Sequence, residues 1–570
     1  MKLKRLFFSC LIFLSLHLSA QPTLSFARSF GGSVLEGSTA IKADNFGNVY
    51  TIGTFAGTAD FDTGPGVSMV TSIGDQDIFI LKLDSLGNFI WNKHIGGIQA
   101  DFATGLALDD TGNVYITGTF VDSVDFDPGP GVMNFMSYSP STFIMKIDAS
   151  GNLVWAERLE SPLGFNEAAS IALDESGNVI CTGRFRGDID FDPGMGVSMH
   201  SESEYNVNYL LKLSNSGAFI FAKDIIPSQT TKYLSLATDP AGNIYMCGSF
   251  NDTIDTDPGP GVAYLLSPNG YDEGFVAKYS GTGNLVWSKA LGENPTIPNT
   301  QATSVGLDAS GNVYVCGYFS NNCDFDPGSG TFTLGAAGGN IDIFSVKLSN
   351  SGNFIWAQNI PGDDVQAFGM YVDEFGNQTI AGHFEGTVDC DPSAANFNLI
   401  SNSAYFDVLA IILDASGNLK SAFKVGSAYH DYGYAVDVKA PHIFMTGAYS
   451  LTCDFDPDIA YVPYTSQGNV DVFVAKYNGG AYLPLATAIH EEEKNQISVF
   501  PNPADDNLLI RWTGGPATIY LLNGFGQKVI HEQSVKAEVI TFDLQALPVG
   551  IYFLVVDSEA GHACEKIIKK

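Results

Sequence analysis

Positive charge is scarce in this 570-residue sequence: 28 Lys and Arg stand against 62 Asp and Glu, for a formal net charge of -34. So acidic a surface repels nucleic-acid phosphates and anionic membranes, and neither is expected as a partner. Charged residues make up only 16% and hydrophobic ones 45%, which excludes a mainly disordered chain. Cysteines number 8, with no Cys-x-x-Cys or Cys/His spacing of the zinc kind. Cys181, Cys247 and Cys316 share one repeat position, and Cys323 and Cys453 share another that other copies fill with Ala, Val or Ile. They read as small apolar fillers, not as a disulfide framework. No stretch shows helical periodicity, and no apolar run is long enough to span a bilayer. Gly-x-Ser-x-Gly, His-Glu-x-x-His and a phosphate loop are missing, so no catalytic arrangement is legible. His94 and His383 fall on expected strands and are read as packed.

Met1–Ala20 has the form of a secretory signal peptide: Lys2, Lys4 and Arg5, an apolar run from Leu6 to Leu18, then Ala20 before Gln21. Export is therefore expected. The dominant feature of the rest is a repeat. Asp60-Phe61-Asp62-Thr63-Gly64-Pro65-Gly66 returns at Asp125, Asp190 and Asp255, each 65 positions after the last, then at Asp324, Asp389 and Asp454. Its tail erodes in the last two copies.

Around each motif lie four short apolar segments, a to d. In the second copy these are Ala103–Asp109, Val114–Phe120, Thr142–Asp148 and Leu153–Leu159. Asp109-Asp110-Thr111-Gly112-Asn113 separates a from b, and Asp148-Ala149-Ser150-Gly151-Asn152 separates c from d. Asp opens such a hairpin turn through its own backbone and Gly takes the left-handed position. A long irregular connection from b to c carries the Asp motif. Strand b has a Gly two residues before an aromatic, as at Gly118/Phe120 and Gly317/Phe319, a mark of close backbone approach. Strand d carries Trp91, Trp155, Phe221, Trp287 and Trp356 at one position, suited to filling gaps between sheets.

Repeats of this length with four antiparallel strands predict an all-β fold, a seven-bladed β-propeller over 21–478 with four-stranded blades. The last copy lacks a d strand. Leu24–Phe30 followed by Gly31-Gly32 matches Trp91–Ile95 followed by Gly96-Gly97, so the N-terminal strand is expected to close the last blade. Residues 479–494 read as a linker, and 495–570 as a small C-terminal β-sandwich with six alternating strands from Ile497 to Asp557.

Two resemblances follow from these residues. Asp109–Gly118 and Phe143–Asn152 resemble the bacterial β-propeller repeat often called SBBP, a family that implies a fold and no single activity. Val499-Phe500-Pro501-Asn502-Pro503-Ala504, Leu508-Leu509-Ile510, Leu547–Phe553 and Lys566–Lys570 resemble the type A sorting domain of the type IX secretion system of Bacteroidetes-type bacteria. That resemblance implies passage across the outer membrane, contact between 495–570 and the secretion machinery, and release or attachment at the cell surface.

On a propeller the b–c and d–a connections share one rim, so the Asp motifs would ring a single long-loop face. Its candidate residues are seven pairs: Asp60 and Asp62, Asp125 and Asp127, Asp190 and Asp192, Asp255 and Asp257, Asp324 and Asp326, Asp389 and Asp391, Asp454 and Asp456. In extended chain both carboxylates face one way, and the Phe between them faces the core. Two readings stand: turn chemistry, in which Asp caps the Pro-Gly bend, or half of a calcium site. Calcium is the only cofactor candidate. The functional expectation is an exported or surface-held scaffold that binds a protein or glycan through the long-loop face. The alternative is a secreted carbohydrate-active enzyme with its site at the channel mouth. A cluster of non-repeating polar residues there would favour the enzyme, and sevenfold sameness the scaffold.

Overall fold

The computed structural model describes residues 21–34, 36–161, 164–225, 231–267, 270–294, 299–336, 340–458 and 460–479, and in the C-terminal part 497–500, 504, 506–512, 517–523, 528–535, 539–558 and 561–570. The expected signal peptide, almost all of the expected linker, and Pro501-Asn502-Pro503 of the sorting-domain signature lie outside these residues. The described residues form two compact units, within Met1–Leu485 and Ala486–Lys570. They are all β, with no α-helix and no helix long and apolar enough to cross a membrane among them.

The larger unit is of propeller type. Its first sheet takes the order Glu36–Ala43, Val49–Phe55, Asp77–Leu83 and Phe89–Ile95, all antiparallel, and six further sheets repeat that order. In one of them the d position belongs to Thr23–Gly32, which pairs with Asp471–Asn478 through Thr23↔Asn478 to Phe30↔Val472. The a strands touch their counterparts in the neighbouring sheets, Glu36–Ala43 against Phe102–Leu108 at one side and against Tyr432–Lys439 at the other.

Local chemistry explains the regularity. In each Asp-x-x-Gly-Asn turn the Asp accepts two backbone N–H groups and the Asn amide: Asp109 Oδ1 takes Thr111 N and Asn113 N, and its Oδ2 takes Asn113 Nδ2 at 2.8 Å. Gly112 sits at φ +80°, the left-handed conformation that only Gly adopts without strain. The strand-b Gly has a different cause. A Cβ on Gly317 would lie 1.8 Å from the Gln301 carbonyl oxygen of strand a, so the two inner strands close up only over a missing side chain.

Strand c is buried on both faces, Asp77–Leu83 at every residue, because each sheet lies between two others. The core therefore fills the seams. Tyr50, Ile52, Ile78 and Ile80 of the first sheet meet Leu106, Ile116, Phe120 and Met145 of the second. On the tight-turn side the strand-d Trp and a strand-c Lys both reach the next sheet's c–d turn. Trp91 Nε1 and Lys82 Nζ donate to the Ala149 carbonyl, Trp356 Nε1 and Lys347 Nζ to that of Ala415, and Lys476 Nζ to that of Ser85.

The smaller unit has two antiparallel sheets around one cluster that includes Leu508, Ile510, Ile519, Phe542, Leu554 and Ile567. Its strands Ile497–Phe500, Asn507–Trp512 and Val539–Asp543 form one sheet. The other holds a strand beyond the six that the alternation predicts: Gly561–Lys569, which pairs along Gly550–Ser558 and carries the basic terminus.

Candidate functional site

The Asp motif does not lie in an irregular connection, as the sequence suggests. It is the tip of a β-hairpin, Thr58–Asp60 against Met69–Thr71 in the first sheet, and in the second it extends strand b to Asp125. The hairpin is hard to see in the sequence because its return strand, short and part-exposed, has little apolar alternation. At five tips the hairpin also bonds the end of the neighbouring sheet's strand d: Gly31↔Asp60, Glu160↔Asp190, Glu293↔Asp324, Gly426↔Asp454, and Asp389 N to the Pro361 carbonyl at 2.9 Å. The motif is a clasp between sheets.

Its carboxylates have defined work. Asp60 Oδ1 accepts Asp62 N at 3.0 Å and Ser68 N at 2.8 Å, and Asp62 Oδ1 accepts Gly64 N at 2.8 Å. The same bonds recur in the next four copies. Asp125 accepts Asp127 N and Met133 N, and Asp127 accepts Gly129 N. Asp190 accepts Asp192 N and Ser198 N, and Asp192 accepts Gly194 N. Asp255 accepts Asp257 N and Ala263 N, and Asp257 accepts Gly259 N. Asp324 accepts Asp326 N and Phe332 N, and Asp326 accepts Gly328 N. The pattern survives in the eroded copies: Ser393 N bonds Asp391 and Asp458 N bonds Asp456, while Asp389 and Asp454 keep their two donors. Phe126 between its pair is fully buried, with ring centroids 5.2 Å from Phe120 and Phe135 and 4.9 Å from Phe143. Phe61 adds Phe30 of the neighbouring sheet's strand d at 5.6 Å.

A calcium shell needs 6–8 oxygens. Each tip offers two carboxylates, with one oxygen of each committed to backbone N–H groups. The second oxygen of the outer Asp is hemmed in as well. Asp62 Oδ2 lies 2.0 Å from where a Cβ on Gly66 would sit. The corresponding oxygens of Asp127, Asp192, Asp257 and Asp326 lie 2.0, 2.1, 2.3 and 2.2 Å from that point on Gly131, Gly196, Gly261 and Gly330. Among the described residues no group of three or more His, Cys, Asp or Glu is placed to hold a metal. Of the two readings of the motif, this geometry favours turn chemistry. Asp60, Asp62, Asp125, Asp127, Asp190, Asp192 and Asp255 do not gather into a metal-binding group, nor do Asp257, Asp324, Asp326, Asp389, Asp391, Asp454 and Asp456. The pairs sit on separate sheets and turn their oxygens on their own backbone, so the donor set fits turn chemistry and falls short of a calcium shell.

The sevenfold sameness breaks elsewhere on the long-loop side, at the ends of strands a and b in four consecutive sheets. The strand-b residue after the Gly is Thr54, Thr119, Ser249 or Ala448 in four sheets, but Tyr318 and His383 in two. Tyr233, Tyr318 and Phe368 form a triangle of rings 5.9–6.3 Å apart, closed by a 3.1 Å bond from Tyr318 to the Tyr233 hydroxyl. Phe368 stacks on His383 at 5.0 Å, and Tyr432 and Phe406 flank that imidazole. His430, Tyr432 and Tyr434 lie nearly parallel, at 5.8 and 5.9 Å, with Tyr405 and Tyr429 at the rim. Tyr233 is 42% exposed and Tyr429 45%, while His383 is 5% exposed and its Nδ1 lacks a partner. Burial pushes His383 down to about 3, so it is neutral at physiological pH. Sequence reasoning passes over all of these rings but His383, because Tyr233, Tyr318, Phe368, Tyr432 and Tyr434 are ordinary strand residues and Tyr405, Phe406, Tyr429 and His430 lie in the connections beside them. The signal is available as departures from the repeat at aligned positions. Arg184, at the same strand-b position, pairs with Glu167 and borders a 250 Å³ cavity shared with Lys232 and Tyr233.

His94, read as packed, is partly buried and bonds Asp77. Asp77 opens a strand c, where other sheets place Glu273, Asp342, Asp407 and Asp471. These acids are buried at the seams, and Asp77, Asp407 and Asp471 each leave Oδ1 without a partner. Across three seams a second buried acid faces them, and burial raises each: Asp101 beside Asp77, Asp431 beside Asp407 and Glu36 beside Asp471 all reach about 7. Glu273 reaches about 8 for the same reason, with Glu293 adding to it, beside a 480 Å³ cleft.

Comparison with known proteins agrees with both halves of the chain. Residues 498–570 match the family model for a secretion system C-terminal sorting domain, and 90–119 that for a beta-propeller repeat. The sorting domain marks the chain for secretion and attachment at the cell surface. Among curated proteins, an uncharacterized WD repeat-containing protein of Acanthamoeba polyphaga mimivirus is 25% identical over 325 residues, covering 49% of this chain and 23% of that one. The regulatory protein FlaEY of Caulobacter vibrioides is 21% identical over 305 residues, covering 51% and 31%. The matched stretch thus spans under a third of either relative. Among solved structures, PorZ of Porphyromonas gingivalis, described as a surface component of the type-IX secretion system, aligns over 95% of this chain and all of its own, at 10% identity and a TM-score of 0.17. A protein of unknown function from Bacteroides caccae aligns over 59% of this chain and 94% of its own, at 10% identity and a TM-score of 0.26.

Proposed function

We propose that the chain is an exported, surface-held seven-bladed propeller over 21–478, closed by its N-terminal strand, which binds a protein or glycan partner through its long-loop face. The signal peptide and residues 495–570 would deliver it through the secretion machinery. Seven sheets of one strand order, and the contact of Tyr432–Lys439 with Glu36–Ala43, support a closed ring. The single observation that carries the binding role is the aromatic cluster. A purely structural ring has no reason to depart from its repeat in adjacent sheets on one face and to leave Tyr233, Tyr405 and Tyr429 exposed there. The clasps make that face rigid, and a rigid face presenting aromatic rings suits binding.

Among the described residues the enzyme reading rests best on Glu273 and Glu293 at the 480 Å³ cleft. A carboxyl held protonated to about 8 is a general acid in waiting, but Glu273 is 1% exposed and lies at a repeat position that other sheets also fill with an acid. Seam chemistry accounts for it. The test is an array of surface proteins and glycans probed with the full chain and with Phe368→Ala and Tyr432→Ala variants. Selective binding that weakens in variants of this face supports the proposal. No binding anywhere, or turnover of a glycan abolished by Glu273→Gln, overturns it.

A further inference from the structure

We infer that the aromatic cluster is a binding site for an uncharged glycan chain, an inference that rests on the long-loop face being the binding face. Pyranose rings present C–H groups on their faces and hydroxyls at their edges. A complementary surface needs electron-rich ring faces interleaved with hydrogen-bonding groups, and Tyr supplies both in one side chain. Tyr233, Tyr318, Phe368 and Tyr432 provide the faces on rigid strand backbone. The groups beside them are amides and paired charges. Gln301 Nε2 donates to Asp272 Oδ2 at 2.8 Å, and its Oε1, buried with the rest of the side chain, has no protein partner. Gln366 Nε2 donates to Asp364 Oδ1 at 3.0 Å, and Lys232 pairs with Asp272 at 2.9 Å.

The pairing bears on the ligand's charge. A cationic peptide would find Asp272 already neutralised by Lys232, with Asp364, bonded to the neutral Gln366 amide, as the charged carboxylate left beside Tyr318. A polyanionic glycan would approach a protein of net charge -34 against repulsion. A neutral polysaccharide meets neither obstacle.

Native affinity electrophoresis of the full chain in gels containing mixed-linkage β-glucan, xylan, galactomannan or starch tests this. Expected is retardation in at least one gel. Phe368→Ala and Tyr432→Ala should weaken it about tenfold or more, as truncation of an anchoring ring does, and Tyr432→Phe should retain it. Val132→Ser and Val262→Ser, on exposed hairpin tips of the same face, should change nothing. Should either alanine variant melt early, Tyr233→Ala, at a part-exposed ring, takes its place. No retardation in any gel overturns the glycan assignment. Retardation lost in the tip variants but kept in the ring variants overturns the cluster as the site while leaving the long-loop face standing. Protein ligands captured on the array through the rings, with no glycan retarded, would likewise reject the inference and keep the broader proposal.

Discussion

At the residue scale the protein is held by a few side chains used many times over. Phe126 is fully buried among three rings, and its replacement by Ala should cost ~3–5 kcal/mol, seen as a lower midpoint in denaturant. Asp125 accepts two backbone N–H groups that water does not reach freely, so Asp125→Ala should cost ~1–3 kcal/mol by the same assay. The seam acids set the pH response. Glu36, Asp101 and Asp431 hold their protons to about 7 when folded, above their ordinary carboxylate values. A raised pKa means that the folded chain binds more protons than the unfolded one through the interval between. Their contribution is therefore fully present below the ordinary carboxylate range and is lost as pH rises through about 7. Thermal melts between pH 5 and pH 8 should show the midpoint falling with pH. Glu36 has no side-chain partner for its carboxyl, only the Gly32 backbone beside it, and faces Asp471, whose Oδ1 is bare. Glu36→Gln supplies a donor without a charge, so it should raise the midpoint at pH 8 and flatten the profile. A lower midpoint at pH 8 would refute this account of the seam.

At the scale of the element, the hairpin clasp and the inner a–b pair matter most. Gly317→Ala would drive a Cβ into the Gln301 backbone, which cannot give as a side chain can, and should cost about 3 kcal/mol or abolish soluble folding. The clasp carboxylates are spent on their own turns. The melting midpoint in calcium and then in chelator should therefore agree within about a degree, because a ligand that does not prefer the folded state adds nothing to its stability. A rise of many degrees with calcium would make the Asp ring a metal-bound feature after all.

For the whole molecule, the N-terminal strand is the joint. Thr23–Gly32 pairs with Asp471–Asn478 and, through Gly31 and Gly32, with the first hairpin. Deleting residues 21–32 exposes two strand edges and removes Phe26 and Phe30 from the core they share with Leu81 and Val474. The larger unit should then lose its single cooperative transition in a melt, not merely shift it.

The sequence by itself determined the unit and its turns. The Asp-x-x-Gly-Asn hairpins, the strand-b Gly, the apolar centre of strand c and the matching Leu24–Phe30 are local, and each is forced by backbone conformation or by side-chain period. It also carried the sorting domain, whose signature lies in short local runs between Val499 and Lys570. Tertiary structure decided what depends on residues far apart in the chain. Hairpins became clasps because Asp60 meets Gly31 across a seam, and the Glu36 carboxyl is held above its ordinary range because packing buries it there beside Asp471. The rings of Tyr233, Tyr318, Phe368 and Tyr432 became one surface because four sheets bring their strand ends together. A repeat fixes what every copy shares, and only packing shows which of the departures from it touch.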